Sequence, residues 1–206
     1  PERIPQLSKV FLRDLKNKSQ AEIAFEVIQP FVGGSIDDAS LKTICEETVN
    51  FSFPLKQIND KVASLELFHG PTLAFKDVGA RFMSRCLGHF SKGSDKKVTV
   101  LVATSGDTGS AVANGFLGVD GVEVVLLYPS GKVSKIQELQ LTTLGENITA
   151  LEVEGTFDDC QRLVKEAFAD DELNAKMSLT SANSINVARW LPCLLYTSDA
   201  ADELRS

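Results

Sequence analysis

The sequence predicts an α/β protein: an open, mostly parallel sheet with helices on both faces, preceded by a small helical N-terminal part. Three observations predict it. Residues 98–103 (Val-Thr-Val-Leu-Val-Ala) and 122–128 (Val-Glu-Val-Val-Leu-Leu-Tyr) are almost continuous apolar, β-branched runs of the kind that strands buried on both faces of a parallel sheet require, and 148–153 is a weaker third copy. Helix signals fall between and after these runs, so the pattern is βαβαβα. Residues 1–60 read differently, as helices without such strands. In a sheet of this kind ligands bind at the carboxyl ends of the strands, so the loop after each strand is where chemistry is expected.

In chain order, residues 21–31 and 41–49 carry helical patterns, separated by Gly33-Gly34-Ser35 and closed by Phe53-Pro54. A helix opens at Lys76, because Val78, Phe82, Met83, Cys86, Leu87 and Phe90 recur at helical spacing. Ser134-Lys135-Ile136-Gln137 has capping-box spacing and starts a helix that ends near Gly145. Thr156 caps a further helix with Phe157, Cys160, Leu163, Val164 and Phe168 on one face. The expected organisation is a helical part over 1–60, an α/β part over 61–192 and a tail over 193–206.

With 206 residues, 43% hydrophobic and 24% charged, the chain is long enough for one good core or parts of two domains. A net charge of −7 without a basic run argues against nucleic-acid and anionic-membrane partners, so an anionic ligand must be held locally. No apolar run is long enough to span a bilayer, and the first residues lack the regions of a signal peptide, so a cytoplasmic protein is expected. The four cysteines, Cys45, Cys86, Cys160 and Cys193, are widely spaced and form no Cys-x-x-Cys pair. They read as three core thiols and one in the tail, with neither a zinc site nor a disulfide framework. His69 and His89 match no triad or metal motif, and no metal is expected.

One lysine stands in an awkward place. Lys76 follows the apolar run Leu73-Ala74-Phe75 and opens a helix, where it faces the positive end of the dipole and its charged form is poorly solvated. A lysine so placed is a nucleophile suited to a Schiff base with an aldehyde cofactor, although the same local pattern also fits a surface lysine whose stem covers apolar area. Thirty residues on, the loop Thr104-Ser105-Gly106-Asp107-Thr108-Gly109-Ser110 runs from a strand into a helix. Its glycines permit close backbone approach, its hydroxyls supply donors, and the helix start directs N–H groups at an anion, a carboxylate or a phosphate. Asp107-Thr108-Gly109-Ser110 also spells the aspartic-protease signature, but that chemistry needs two such aspartates in an all-β setting, and one copy is present here. The loop before the next helix, 128–135, places Lys132 and Lys135 near a helix start without P-loop spacing. The segment 180–189 is dense in side-chain donors and ends in Arg189, whose guanidinium can grip a phosphate through two bonds.

Residues 66–83, with Lys76 in Leu-Phe-His-Gly-Pro-Thr-Leu-Ala-Phe-Lys-Asp, resemble the cofactor-lysine segment of the threonine synthase family, in the tryptophan-synthase-like, fold type II group of pyridoxal-phosphate enzymes. The Ser-Gly-Asp-Thr-Gly-Ser loop and Ser-Ala-Asn-Ser-Ile-Asn at 181–186 are similar to two further motifs of that family, in the same order. The resemblance implies pyridoxal 5'-phosphate on Lys76, with Ser105, Gly106, Asp107, Thr108 and Gly109 at the cofactor. It further implies Thr104, Ser105, Thr108, Lys135, Asn186 and Arg189 at the substrate, a small phosphorylated amino acid. The implied reaction converts O-phospho-L-homoserine and water to L-threonine and phosphate. Related enzymes of the group carry asparagine where Asp107 stands, which leaves its role open. Alternatives are another elimination or replacement enzyme of the same cofactor group, such as a serine or threonine dehydratase, or an inactive fragment or binding module.

The resemblance runs to Leu191-Pro192 and covers roughly half the family's length. A later Gly-Asn-Phe-Gly loop, which in the family cradles the cofactor phosphate, does not occur in these 206 residues. Residues 193–206 are similar to an in-frame translation of a transposase-type sequencing adapter, so the tail is expected to carry no selected structure and the chain as written to be catalytically inactive.

Overall fold

The computed structural model describes residues 5–32, 34–94, 96–182, 186 and 188. The chain opens with α1 (Lys9–Asp14), α2 (Gln20–Val32) and α3 (Asp38–Thr48). A two-stranded antiparallel ribbon follows, β1 (Leu55–Asn59) and β2 (Val62–Leu65), then α4 (Lys76–Ser91) and β3 (Val98–Ala103). The remainder is α5 (Asp107–Phe116), β4 (Val122–Pro129), α6 (Lys135–Thr142), β5 (Ile148–Val153), α7 (Phe157–Ala169), α8 (Asp171–Lys176) and β6 (Ser178–Ser181). The last four strands form one sheet of order β5-β4-β3-β6, and every neighbouring pair in it is parallel. The expected α/β class with a parallel sheet holds.

The two central strands, β3 and β4, are buried on both faces, as their near-continuous apolar runs require, while the edge strands β5 and β6 are only partly covered. Val100, Val102, Val124 and Leu126 point into one core with Ala113 and Phe116 of α5 and Leu141 of α6. Leu101, Ala103 and Leu127 point the other way, against Cys160 and Val164 of α7. That helix has the cap its sequence announces: Thr156 accepts from Asp159 N, and the Asp159 carboxylate accepts from Thr156 N, a full capping box.

Between the N-terminal helices and the sheet lies α4, which has two buried faces. Val78, Phe82 and Cys86 join Ile28, Leu41 and Ile44 in the N-terminal core, while Ala80 and Met83 join the sheet core. A helix apolar on two sides is held from both, and its start is fixed accordingly. Burial pushes the thiols of Cys45 and Cys86 up to about 12, so both serve as packing groups.

Helices α1 and α8, the β1–β2 ribbon and strand β6 have no counterpart among the elements expected from the sequence. The β1–β2 ribbon is mostly exposed, and residue 60, the expected end of the helical part, falls in its turn. Strand β6 is short and polar, yet it pairs with β3 from Val98↔Ser178 to Leu101↔Ser181. Arg189 and the tail 193–206 lie outside the described residues.

Candidate active site

Helices α4 and α5 run side by side in the same direction, so their starts meet at one end of the sheet. Their approach is close: a Cβ on Gly115 of α5 would stand 3.2 Å from the backbone of Ala80 in α4. This contact brings Lys76 to the loop after β3. Lys76 is the first residue of α4 and half-buried, and its Nζ donates to Thr108 Oγ1 at 2.6 Å across 32 residues of sequence. The same Nζ lies 5.7 Å from the centre of the Phe75 ring, whose side chain is largely exposed.

The loop 104–110 is built from inside by Thr104. This residue is 0% exposed, and its Oγ1 accepts from Gly106 N at 3.1 Å and Gly109 N at 2.8 Å while donating to Gly106 O at 3.1 Å. Substrate contact was expected of Thr104; with its hydroxyl buried and committed to the loop backbone, it enters the site as the loop's internal prop. Gly109 must be glycine because a Cβ there would sit 2.4 Å from Thr104 Cγ2. Gly106 holds φ at 146°, a conformation that side chains rarely adopt, and serves as the N-cap of α5 without a capping side chain. Thr104 thus takes one amide of the first turn of α5, Gly109 N, and leaves those of Asp107 and Thr108 open to a ligand, with the positive end of the dipole beside the lysine.

Asp107 turns aside. Its Oδ1 accepts from Gln137 Nε2 of α6 at 2.7 Å, while Gln137 Oε1 accepts from Ser134 Oγ at 2.9 Å. Gln137 also packs on Gly106, where a Cβ would meet its amide at 2.4 Å. Gln137 is the partner of Ser134 in the cap that the spacing predicts, its N donating to Ser134 Oγ, and its side-chain amide also ties α6 to the loop, a second role that only the spatial meeting of the two loops reveals. Ser105 is exposed on the same loop.

The remaining candidates stand in different settings. Lys135 is the first residue of α6, is exposed, and pairs with Glu138 at 3.2 Å. Asn186 follows β6, which leaves the sheet at the same end as β3. Its Nδ2 donates to Ser181 O at 3.3 Å and its Oδ1 accepts from Ala188 N at 3.0 Å, so its amide shapes its own segment. Among the described residues no group of His, Cys, Asp or Glu is arranged to hold a metal, and no helix is long and apolar enough to cross a membrane.

An amine at a helix start, facing the open start of a second helix in a parallel α/β sheet, defines an enzyme class that anchors an anionic aldehyde cofactor through lysine. Residues 43–191 match the pyridoxal-phosphate dependent enzyme family, and the chain belongs to it. Residues 1–49 match the threonine synthase N terminus. The chain is 43% identical to threonine synthase of Escherichia coli (strain K12), over 99% of its own length and 47% of that protein. Among solved structures it is similar to pyridoxal-phosphate-bound threonine synthase from Brucella melitensis, with TM-score 0.93 and 40% identity, covering 99% of this chain and 45% of that one. The Escherichia coli threonine synthase structure gives TM-score 0.88 and 42% identity, covering 98% and 47%. The chain spans about half the length of the curated relatives it matches.

The residues present fit the family's cofactor. An aldehyde needs a primary amine within a shielded site, which Lys76 supplies, and an anionic, ring-shaped group needs helix N–H donors and a flat apolar neighbour, which the open start of α5 and Phe75 supply.

Proposed function

We propose that this chain carries the lysine-bearing part of a threonine synthase, which converts O-phospho-L-homoserine and water to L-threonine and phosphate. The observation that carries this reading is the 2.6 Å contact between Lys76 Nζ and Thr108 Oγ1 at the start of α5. The similarity to threonine synthases along almost the whole chain supports the choice within the cofactor family.

Pyridoxal phosphate, when bound, supplies an electron sink that makes the substrate's α- and β-protons labile. Lys76 Nζ is the amine that anchors it and, when free, the base that takes the proton from the substrate's α-carbon. Thr108 Oγ1 orients Nζ by accepting its hydrogen bond. Ser105, Gly106, Thr108 and Gly109 present the open helix start to cofactor and substrate anions, and Asp107 holds that loop to α6 through Gln137. Asn186 and Arg189 serve the substrate's phosphate, with Lys135 as an additional point charge once it exchanges Glu138 for the ligand; an exposed pair of this kind costs about 0–1 kcal/mol to break.

Product analysis tests the reading. With this chain extended by a family C-terminal half and loaded with pyridoxal phosphate, O-phospho-L-homoserine is expected to yield threonine and phosphate in equal amounts. Release of pyruvate from serine or 2-oxobutanoate from threonine as the main activity would make it a dehydratase instead.

A further inference from the structure

Asp77, the residue after the anchoring lysine, takes no part in the chemistry above, yet it is buried to 1% exposure at the helix start. Its carboxyl group accepts twice from one residue, from Thr72 N at 3.0 Å and from Thr72 Oγ1 at 2.5 Å. Gly70 lies against the same carboxyl: a Cβ there would stand 2.5 Å from Asp77 Oδ2 and 2.9 Å from Phe51 Cζ. The turn between is closed by Leu73 N to Gly70 O at 3.1 Å and Asp77 N to Ala74 O at 3.0 Å. Within it Leu73 holds φ at 59°, a left-handed conformation unfavourable for a side chain, and is 73% exposed.

The arrangement is an unusual way to start a helix. Phe75 stands at the N-cap and provides no side-chain hydrogen bond. A serine or aspartate at that position would satisfy the first turn from outside at less cost. Instead a buried carboxyl inside the first turn reaches back five residues, and the turn accepts a left-handed leucine to allow it. Burial of such a group is tolerable only while both of its bonds hold. What the closed ring of residues 72–77 gains is a fixed backbone at Lys76, whose side chain leaves the ring toward Thr108.

We propose that the Thr72–Asp77 clamp is the positioning device of the anchoring lysine. It sets the start of α4 so that Nζ stands at the open start of α5, where the cofactor arrives. The proposal rests on the reading of Lys76 as the attachment point. It assigns no chemical step to Asp77 or Thr72, only the placement of Nζ.

The test is the rate at which pyridoxal phosphate becomes attached to Lys76 in the chain extended by a family C-terminal half, trapped with borohydride at successive times and quantified on the peptide that contains Lys76. Circular dichroism is recorded on each variant. Thr72→Val keeps the shape and removes the hydroxyl donor, and is expected to slow attachment about tenfold with the spectrum unchanged. Thr72→Ser keeps both donors and is expected to attach at the parental rate, a rescue that lost packing of the methyl would not give. Gly70→Ala presses on Oδ2 without removing a hydrogen-bonding atom and is expected to slow attachment as well; it carries the test if Thr72→Val loses the parental spectrum. Parental rates in folded Thr72→Val and Gly70→Ala, or equal slowing in Thr72→Ser and Thr72→Val, would overturn the clamp. Absence of label on Lys76 in the unsubstituted chain would instead overturn the attachment reading on which the clamp rests.

Discussion

The loops that follow β3 and β4 look alike in sequence and differ in use. Each leaves a buried strand, carries serine and glycine, and enters a helix. After β3 the N-cap is Gly106, which provides no side chain; Thr104, buried two residues earlier, takes Gly109 N, and the amides of Asp107 and Thr108 stay open beside Lys76. After β4 the N-cap is Ser134, whose Oγ accepts from Gln137 N at 3.3 Å, and the lysine at the first helical position pairs with Glu138. One helix start is capped by the side chain at its N-cap, and the other is propped from inside by Thr104 with its outer amides kept for a ligand. The difference teaches that a strand-loop-helix with small polar residues becomes a site when the N-cap position carries no side chain and a reactive group from elsewhere is brought to the gap.

The two loops are also built differently from within, and substitutions should separate them. The largest effect is expected for Thr104→Val, which removes the acceptor for Gly106 N and Gly109 N; each buried amide left without one costs about 1–3 kcal/mol. Chemical denaturation should show that loss, together with loss of cofactor attachment. Next comes a paired test on glycines. Gly109→Ala drives a methyl into Thr104 and should cost about 1–3 kcal/mol through overpacking while impairing cofactor loading. Gly131→Ala meets nothing within 4 Å, so only its φ of 63° resists, at about 1–2 kcal/mol, with cofactor loading intact. If both alanines affect loading equally, the loops are not distinct in the way described.

Ser134→Ala removes a cap and should cost about 1 kcal/mol by thermal denaturation with no change in attachment rate. Lys135→Ala is the smallest case. Its exposed pair contributes little to stability, and as a point charge for the substrate it should raise KM by less than about tenfold at unchanged kcat. A fall in kcat would place Lys135 closer to the reacting atoms than its exposure suggests.

What could be read in advance follows the same division between local and spatial signals. Strands β3 and β5 match the expected runs residue for residue, and β4 by all but Pro129, because continuous β-branched stretches have few other solutions. The caps Ser134 and Thr156 were legible for a similar reason, each being decided within four residues. Strand β6 was not: Ser-Leu-Thr-Ser has one apolar residue and becomes a strand only because β3 offers an edge. The β1–β2 ribbon likewise has mostly exposed residues and little periodicity to betray it. At the site, Lys76 was legible from its position after an apolar run at a helix start. Its Thr108 partner was expected only in the general sense that both loops should meet. The inward turn of Thr104 and the Gln137–Asp107 bond depend on which way side chains point at a meeting of distant segments, and no spacing encodes that.

The central claim is that the amine of Lys76, standing at the open start of α5, is the group that takes the cofactor. Borohydride trapping of the chain extended by a family C-terminal half, with saturating pyridoxal phosphate and followed by peptide mapping, addresses it directly. The account predicts a single labelled peptide carrying the modification on Lys76, and its disappearance in a folded Lys76→Ala variant. Label found instead on Lys132, Lys135 or another lysine, or retained in Lys76→Ala, would contradict it.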